Sequence, residues 1–519
     1  MNTSSMNKAL ATVFGLFLLI TTAVGQEYSS SSKSTNIESD RSGTTKWSTS
    51  TGLSSFNVEY RGKIEIEDDD KDIKSMSDGA YLEISKTVFG AKRSIIIESI
   101  GGGKFKKQYY ESRTMVNWEP QGREWLAEIL PEVVRTTTLC AESRVKRFFK
   151  QGGTTAVLAE MDKIESDYTK SAYATLLMQQ AIQVKDYAAI ITKVAEGLDS
   201  DHYMTEFLKD NTSKFMQDKA ATTALFSATK KMDSDHYKTI VIKEALKSQV
   251  ASLENVKIIL QAAAQMESDH YITEVLTSLL RQSNLTDAVI AEMINTTKSI
   301  ESDHYRTVVL TAALDKEGLS SVSFQKVIES AKDIESDHYV TQVIKHLMEN
   351  KLSDELLNLL LDILNSVESD HYRTEVIQSL IRKQSLTDAQ FEKIINAVSS
   401  MDSDHYKTVV LQGTLAKKTS LTDTQFNKVI DACGQMDSDH YITTVLQDVA
   451  VMANLTDARV LAVINVTSKI DSDHYITEVL SDIAPKVKTG TASVKDAYRT
   501  AAKRIDSETY YGRALRAIE

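Results

Sequence analysis

The pentapeptide Glu267-Ser268-Asp269-His270-Tyr271 decides how this chain folds, because close copies of it recur along most of the sequence. Every copy has an acid, a serine, an aspartate and a tyrosine, and all but the first have a histidine before the tyrosine. Successive aspartates lie 33 to 35 residues apart, nearly always 34. The ten copies begin at Glu165, Asp199, Asp233, Glu267, Glu301, Glu335, Glu368, Asp402, Asp437 and Asp471. A fixed period of this length indicates a repeat architecture.

Each repeat is interpreted as two helices, the second of which begins at the motif. A serine hydroxyl can cap free backbone N–H groups, and the flanking carboxylates favour the positive end of the helix dipole. The predicted N-cap serines are Ser200, Ser234, Ser268, Ser302, Ser336, Ser369, Ser403, Ser438 and Ser472. In the helix that follows Ser268, the residues Tyr271, Val275, Leu276, Leu279 and Leu280 fall on one side and predict a buried stripe.

The first helix of a repeat has its own start signal. Thr387 with Gln390, and Thr422 with Gln425, have the spacing of a capping box. A leucine precedes each threonine, as in a hydrophobic staple. Two helices of about 13 residues with two short turns account for the period of the repeat.

One helix pair exposes too much apolar surface to be stable alone, so neighbouring repeats must stack. The predicted fold is mainly α: an α-solenoid of about ten helix-turn-helix repeats, preceded by a small antiparallel β-rich module of the α+β type. Worn copies at the two ends, with Tyr168 directly after Asp167 and with Glu508-Thr509 in place of Asp-His, are expected of capping units. The chain has only three prolines, and none lies between Ile164 and Ala484, where packed short helices offer few sites for proline.

The N-terminal segment predicts export. Lys8 is followed by an apolar run from Ala9 to Val24 and by small residues before Gln26, which is typical of a cleaved signal peptide. An uncleaved N-terminal anchor is the alternative. We therefore expect an exported protein, periplasmic or secreted, with no stable membrane insertion after cleavage.

Composition and periodicity divide the chain into six segments. The β strands are predicted from short β-branched and aromatic runs at 56–60, 64–66, 81–84 and 94–100. Pro131 is expected to kink or split the helix that follows the strands. The predicted segments are a signal peptide at 1–25, a Ser/Thr-rich flexible linker at 26–51, the β module at 52–120, a helical connector and N-terminal cap at 121–163, the repeat array at 164–484 and C-terminal capping helices at 485–519.

The formal net charge of −12 argues against a general nucleic-acid binder, because phosphate neutralisation needs a basic face. We therefore expect another protein as the partner and no nucleic acid. Cys140 and Cys433 are too far apart in sequence for a metal knuckle, and Cys433 fits the core of an apolar helix. The basic run from Arg144 to Lys150 is interpreted as a solvated helix face.

The recurrence of Ser, Asp and His suggests a hydrolase, but the geometry of a helix opposes it. Adjacent helical residues point about 100° apart, whereas a catalytic triad needs its base within hydrogen-bond reach of the nucleophile. Outside the repeat, the acids Glu65 and Asp68 to Asp70 have no evident catalytic partners. We expect no enzyme and no cofactor.

The repeated Asp-His pair could instead bind metal or respond to pH. The candidate ligands are His202, His236, His270, His304, His338, His371, His405, His440 and His474. Ligands in neighbouring repeats would lie roughly 10 Å apart, too far to share one ion, so a purely structural role at the helix start is the favoured interpretation. A pH sensor is possible because carboxylates raise the pKa of a neighbouring histidine.

The period and the helix pairs resemble the tetratricopeptide class and, more loosely, the HEAT-like α-solenoids. The tetratricopeptide pattern of Trp, Leu-Gly, Tyr, Ala, Phe and Pro is missing, since no tryptophan follows Trp125. The arrangement also resembles uncharacterised exported bacterial proteins, some related to regions appended to membrane-bound sensor metallopeptidases. Because stacked repeats create a long curved face and no set of catalytic residues passes the geometric test, we expect a non-catalytic interaction scaffold. A sensor or regulatory partner of a membrane enzyme and a purely mechanical spacer are the other possibilities.

Overall fold

The computed structural model describes residues 34–40, 43–247, 253–283, 285–417, 421–453 and 455–519. The predicted signal peptide and residues 26–33 of the predicted linker lie outside these ranges. The chain divides into two compact units, with the boundary between Lys231 and Met232. Strands occur in the first unit, and the described part of the second unit contains only helices and turns. Across the described ranges, no helix is both long and apolar enough to cross a bilayer.

The β module is an antiparallel seven-stranded sheet with a separate two-stranded hairpin. The order in the sheet is β1-β2-β3-β6-β7-β8-β9, and β4 pairs with β5. The strands are β1 Ser34–Ser39, β2 Thr44–Thr51, β3 Ser54–Arg61, β4 Ile64–Ile66, β5 Ile73–Met76, β6 Tyr81–Val88, β7 Ala91–Ser99, β8 Phe105–Glu111 and β9 Thr114–Val116. The predicted strands are confirmed, with Val58, Ile84 and Ile95 in the core.

The prediction of a flexible linker over 26–51 is wrong for its described part. β1 and β2 lie in this segment, and β2 pairs with β3 along its whole length. Trp47 supplies the apolar surface that the serines and threonines lack, because it is buried and packs edge-on against Phe56, with ring centroids 5.5 Å apart. Threonine is also β-branched and fits a half-buried strand. The Ser/Thr-rich composition of this segment therefore led to the prediction of a linker where the chain forms two strands.

One helix, α1 at Arg123–Thr136, covers the sheet. Its buried residues are Trp125, Leu126, Ile129, Leu130, Val133 and Val134, which join the strands in one hydrophobic core. Pro131 lies inside this helix and does not split it, since the helix continues to Thr136 and the chain leaves it at Thr137. The apolar stripe continues beyond the proline, so burial keeps the last turn in place.

Twenty-two further α-helices follow in the described residues. They are α2 Ala141–Met161, α3 Asp167–Leu177, α4 Tyr187–Gly197, α5 Asp201–Phe215, α6 Lys219–Thr229, α7 Asp235–Leu246, α8 Leu253–Ala263, α9 Asp269–Leu280, α10 Asp287–Thr296, α11 Asp303–Leu314, α12 Ser321–Ala331, α13 Asp337–Leu347, α14 Asp354–Leu364, α15 Asp370–Lys383, α16 Asp388–Ser399, α17 Asp404–Lys417, α18 Asp423–Cys433, α19 Asp439–Ala450, α20 Asp457–Val466, α21 Asp473–Thr489, α22 Ala492–Ala502 and α23 Glu508–Ile518. From α3 onward, odd-numbered helices begin at the third residue of a motif copy and are called motif helices. The even-numbered helices from α4 onward are called intervening helices.

The second unit is a stack of helices in two layers. Each motif helix from α7 to α21 contacts the next motif helix, and each intervening helix from α8 to α20 contacts the next intervening helix. In the first unit, α3 contacts α5 and α4 contacts α6 in the same way. The predicted α-solenoid of helix pairs is confirmed.

The stripe predicted for α9 is confirmed at its four aliphatic residues, which are all at most 3% exposed. The tyrosine of the stripe was misplaced. Tyr271 is half-buried, and its neighbour Ile272 occupies the core position instead. Because one residue is a rotation of about 100° around a helix, the motif tyrosine lies at the edge of the core.

The sequence predicts that the repeat array ends at residue 484, before Pro485. Pro485 instead lies inside α21, so the helix of the last full motif extends beyond that boundary. Ile483, Ala484 and Val487 are all at most 1% exposed, so the apolar face of this helix continues through the proline to Thr489. The helices α22 and α23 follow it at the C-terminal end.

A buried threonine follows two residues after the motif tyrosine in nine repeats. Seven of these hydroxyls form no hydrogen bond within the described residues: Thr205, Thr239, Thr273, Thr307, Thr341, Thr374 and Thr443. The hydroxyls of Thr408 and Thr477 instead donate to the carbonyl of the motif aspartate, at 2.8 and 2.7 Å. An unpaired buried hydroxyl destabilises the fold.

We expect Thr273→Val to raise the free energy of unfolding by about 1 kcal/mol, because valine keeps the shape and removes the unpaired hydroxyl. Urea unfolding followed by circular dichroism measures the change. Thr477→Val is the matched control and should be neutral or destabilising, since that hydroxyl has a partner. Equal stabilisation by both substitutions would show that the unpaired hydroxyl is not the cause.

Candidate functional site

The histidine and tyrosine rings of successive motifs form one continuous row in the second unit. Each histidine ring centroid lies 5.0 to 5.4 Å from the tyrosine of its own motif and 5.6 to 6.1 Å from the tyrosine of the next. Inclined, edge-to-face pairs of this kind are favourable. We call this row the His-Tyr ribbon. Its members are His236, His270, His304, His338, His371, His405, His440 and His474, with Tyr237, Tyr271, Tyr305, Tyr339, Tyr372, Tyr406, Tyr441, Tyr475 and Tyr510.

The ribbon lies at the N-terminal edge of the motif helices, because its rings occupy the second and third positions of each helix. Every histidine of the ribbon is exposed, and every tyrosine is half-buried. In the first unit, His202 lies 5.3 Å from Tyr203, and Tyr168 contacts Tyr203 directly at 6.1 Å, since the first copy has no histidine.

A row of carboxylates accompanies the ribbon. The first motif residue is exposed in every copy of the second unit: Asp233, Glu267, Glu301, Glu335, Glu368, Asp402, Asp437 and Asp471. Seven of these eight residues, all except Asp233, form no ion pair within the described ranges, and Glu301, Glu335, Glu368 and Asp402 are consecutive among them. A cavity of about 470 Å³ opens between two copies and is lined by Glu335, His338, Glu368 and Tyr372 among others. The surface thus combines rings with negative charge.

The motif aspartates connect each repeat to the next. Asp269 accepts hydrogen bonds from the backbone N–H groups of Glu301 at 3.2 Å and Ser302 at 2.7 Å, the first two residues of the following motif. The hydrogen bond from the backbone N–H of the next motif serine is also accepted by Asp167, Asp235, Asp303, Asp337, Asp370, Asp404, Asp439 and Asp473. Backbone N–H groups at a helix start have no partner within the helix, so the carboxylate satisfies donors in the neighbouring repeat.

The predicted serine N-caps do not form in the way expected. Ser200, Ser234, Ser268, Ser302, Ser336, Ser369, Ser438 and Ser472 lie at the N-cap position, but their hydroxyls accept no capping hydrogen bond. Their ψ angles are 112 to 121°, whereas the capping serines and threonines of the intervening helices have ψ of 153 to 166°. The backbone N–H of the serine instead donates a hydrogen bond to the aspartate of the preceding motif. Ser403 makes the same bond, to Asp370.

The capping boxes of the intervening helices are confirmed at Thr387 with Gln390 and at Thr422 with Gln425. The side-chain amide of Gln425 also donates to the carboxylate of Asp388 in the preceding repeat at 2.6 Å. The first residue of other intervening helices acts similarly. Asp287 accepts from the hydroxyls of Ser320 and Ser323, Asp457 from the backbone N–H of Thr491, and Asp423 from the guanidinium of Arg459. Both layers therefore use an aspartate that contacts the next repeat.

The residue after the motif tyrosine is buried and in four repeats carries a cation. Arg306 donates to the carbonyls of Ile300 and Asp333, both at 2.6 Å, and Arg373 donates to the carbonyl of Val367. Lys238 and Lys407 donate to the aspartate of their own motif at 3.0 and 3.1 Å. These four cations are buried with internal partners, so they do not neutralise the exposed carboxylate row.

A groove of about 740 Å³ begins at the ribbon and follows the exposed face of α11, α13 and α15. Its charges form pairs between neighbouring repeats. Lys345 pairs with Glu375 at 3.0 Å, and His346 pairs with Asp315 at 2.7 Å. Exposed pairs of this kind contribute little stability, and they leave little unpaired charge in the groove. The carboxylate row beside the ribbon is therefore the more sharply charged surface.

The nine histidines proposed as metal ligands do not converge. In the ribbon, a tyrosine ring separates each histidine from the next, and the hydroxyls of Tyr271 and Tyr372 lie 3.3 Å from Nδ1 of His236 and His338. In the described parts of the chain, no three His, Cys, Asp or Glu side chains are close enough to share an ion. Zinc sites use three or four protein ligands, so this geometry gives the metal hypothesis no support.

The acids near Asp70 have a structural role that the sequence did not reveal. Arg144, interpreted as part of a solvated face, is completely buried, and its guanidinium binds Asp70 at 2.6 Å, Glu160 at 2.8 Å and the hydroxyl of Tyr173. The group joins the β4-β5 hairpin to α2 and α3. The spacing of Ala141, Arg144 and Val145, all buried, is that of a core-facing helical stripe and could have placed the arginine inside.

Both cysteines have raised thiol pKa values. Burial raises the pKa of Cys140 and of Cys433 to about 12, so neither thiol ionises near neutral pH. The thiol of Cys140 donates to the carbonyl of Ile64 at 3.2 Å. Cys433 is fully buried in α18, which confirms that it is a small core residue.

The fold and the ribbon define a repeat protein of the α-solenoid class. No family model matches the chain, and no curated protein matches it. Among solved structures, it resembles that of APUM23 with its insert region deleted, a structure described together with the sequence GGAAUUGACGG. The identity is 12%, the match covers 77% of this chain and 99% of that chain, and the TM-score is 0.25. So low a TM-score carries no argument about what this chain binds.

The expectation of no nucleic acid partner is withdrawn, because its ground does not hold. The expectation rested on the net charge of the whole chain, which does not describe a local surface. Basic side chains such as Lys345, Arg382 and Lys383 line the groove on the motif helices. A net charge of −12 is therefore no ground for excluding one class of macromolecule.

Proposed function

We propose that this chain is an exported, non-catalytic scaffold that binds another protein along the His-Tyr ribbon. One observation carries the proposal: eight histidine and nine tyrosine rings form an unbroken row at the surface of the second unit. Aromatic side chains are enriched in protein interfaces, where their large area and limited rotamer freedom favour binding.

The ribbon is not needed to close the hydrophobic core. Below each motif, the core is completed by aliphatic residues such as Val275 and Leu276, which are fully buried. The histidines are exposed, so their packing contributes little to folding. A row of rings that folding does not require is best explained by contact with a partner.

The repeat architecture suits an extended partner. Stacked helix pairs present the same side chains at a regular spacing, which creates a long binding surface. Several weak contacts along one ligand combine through effective concentration. The resemblance to tetratricopeptide and HEAT-like proteins agrees with such a role at the level of architecture. Export rests on the predicted signal peptide, and N-terminal sequencing of the secreted or periplasmic protein tests whether the chain begins at Gln26.

Site-specific photocrosslinking tests the ribbon. A photoreactive phenylalanine at position 305, within the ribbon, is expected to crosslink a protein from the exported fraction. The same probe at position 358, on the intervening helix α14, is the control. Crosslinks from 358 alone, or from neither position, would contradict the proposal.

A set of substitutions gives the second measurement. Replacing His304, His338, His371 and His405 by serine should abolish capture of the crosslinked partner without a change in helicity, because all four side chains are exposed. The matched control replaces four exposed residues of intervening helices, Gln325, Asn358, Lys393 and Asn427, by serine. Undiminished capture by the histidine variant would show that the ribbon is not the binding surface.

A further inference from the structure

We infer that the ligand of the ribbon is an extended polypeptide segment with a basic residue at about every third position. The inference rests on the proposed function and specifies the chemistry of the partner. Three features of the second unit carry it: the exposed carboxylate row, the rings beside that row and the spacing between repeats.

The charge of the surface selects a cation. Glu301, Glu335, Glu368 and Asp402 are exposed beside the ribbon and form no ion pair within the described ranges. The nearest motif cations, such as Arg306, are buried and donate to backbone carbonyls. Each of these four repeats therefore presents a carboxylate that forms no ion pair with any side chain in the described structure.

The rings select the same chemistry. The face of a tyrosine ring is electronegative and attracts an ammonium or guanidinium group, and arginine also stacks on aromatic faces. The cavity between two copies places His338 and Tyr372 beside the carboxylates of Glu335 and Glu368. With a volume of about 470 Å³, it is large enough to hold a basic side chain. One repeat thus offers a station with rings and charge together.

The spacing of these stations fits an extended chain. The ring of His270 lies 5.1 Å from Tyr271 and 5.9 Å from Tyr305, so successive tyrosine rings are no more than 11 Å apart. A polyproline II segment advances about 9.3 Å in three residues, and packed helices are separated by about 8–10 Å. A basic side chain at every third residue therefore reaches one station after another.

A single station binds weakly, because exposed ion pairs and cation-ring contacts each contribute little. Several stations on one ligand act together, since the first contact raises the effective concentration at the others. The strength of binding must then depend on the register of the basic residues as well as on their number. This dependence distinguishes the inference from general attraction between opposite charges.

Two labelled peptides of equal composition test the register, with binding to the full chain followed by fluorescence anisotropy. One has eight Arg-Pro-Ser triplets, and the other has eight contiguous arginines followed by the same prolines and serines. We expect the regular peptide to bind about tenfold more tightly or better, as linked stations on a matched ligand reinforce one another. Equal affinities, or tighter binding of the contiguous peptide, would overturn the inference.

Two variants with the same change in charge locate the binding. The ribbon variant combines Glu301→Gln, Glu335→Gln, Glu368→Gln and Asp402→Asn. The control variant combines Glu292→Gln, Glu355→Gln, Asp362→Asn and Asp431→Asn, which are exposed acids of intervening helices. We expect the affinity for the regular peptide to fall about tenfold in the ribbon variant and by much less in the control. An equal loss in both would overturn the inference.

The peptide experiments test the cationic ligand, and the crosslinking experiment tests the scaffold function. If no basic peptide binds while position 305 still crosslinks an exported protein, the cationic ligand is wrong and the scaffold function stands. If a single-stranded RNA of similar length binds the ribbon in preference to the regular peptide, the inference is overturned as well. If neither peptides nor crosslinks are found, both proposals fail.

Discussion

Replacing Arg144 by methionine is expected to destabilise the first unit by about 3 to 5 kcal/mol, the usual effect of removing one partner from a buried ion pair. The guanidinium is completely buried and binds the carboxylates of Asp70 and Glu160, the hydroxyl of Tyr173 and, at 3.4 Å, the carbonyl of Val134. Methionine has a similar volume but no donor. Two buried carboxylates would each lose one of their cationic partners.

Tryptophan fluorescence during urea unfolding measures this change in the relevant part of the molecule. All three tryptophans of the chain, Trp47, Trp118 and Trp125, belong to the first unit. Lys146→Met is the matched control in the same helix, because Lys146 is well exposed and, among the described residues, pairs only with the exposed Glu142. It should change the stability by less than about 1 kcal/mol. Equal effects of both substitutions would show that the buried group does not hold the unit together.

The same group gives the first unit an acid-sensitive stability. Burial raises the pKa of Asp70, but hydrogen bonds from Arg144 and Arg147 outweigh burial, and its pKa lies below the usual value. The pKa of Glu160 is also lowered, since bonds from Arg135 and Arg144 outweigh its burial. A carboxylate with a lowered pKa contributes stability that is lost as the pH falls through the folded-state value. The urea concentration at the unfolding midpoint should therefore decrease when the pH is lowered below about 4. The difference in free energy of unfolding between wild type and Arg144→Met should become smaller in the same pH range.

Replacing Asp439 by alanine is expected to destabilise the second unit by about 3 kcal/mol, because two backbone donors lose a charged acceptor. Its carboxylate accepts from the backbone N–H of Ser472 at 2.8 Å and of Asp471 at 3.2 Å. The substitution also removes a negative charge from the start of α19. The residue after the motif tyrosine is Ile442 in this repeat, so no buried cation loses a partner there.

Hydrogen exchange locates the effect. The amides of Asp471 and Ser472 should exchange faster in Asp439→Ala, and the urea midpoint followed by circular dichroism should fall. Asp437→Ala is the matched control, since its side chain is exposed two residues earlier in the same motif. Unchanged exchange at Asp471 and Ser472 would contradict the role assigned to the motif aspartate.

The repeat architecture could be predicted from the sequence because its signals are local and periodic. The period, the apolar stripe of α9 and the capping boxes at Thr387 and Thr422 all depend on residues close together in the chain. The strands of β1 and β2 were missed because a single tryptophan, Trp47, provides the burial in a polar segment. Proline was overvalued as a boundary, since burial on both sides of Pro131 and Pro485 sustains the helix.

The binding surface could be predicted only in part. The residues of the surface could be predicted because they belong to the motif. Their contacts could not, because the motif side chains bind the neighbouring repeat, about 34 positions away. The sequence predicts a capping role for the serine hydroxyls, which they do not have; the motif aspartates instead bind the backbone N–H groups of the two residues before the next motif helix. The ribbon likewise exists only once repeats are stacked, because each histidine meets the tyrosine of the next copy. Contacts between repeats cannot be read from one copy alone.

The aspartates that reach forward give the array a polarity. The aspartate of each repeat accepts hydrogen bonds from backbone N–H groups of the next repeat, and the N–H groups of each repeat donate to the aspartate of the repeat before it. Loss of a C-terminal repeat leaves a carboxylate in water, where it is well solvated. Loss of an N-terminal repeat leaves the backbone donors just before the following motif helix without their acceptor. The chain is synthesised from its N-terminus, so the acceptor aspartate of one repeat is made before the backbone donors of the next. Each new repeat can therefore form this contact with the repeat that precedes it.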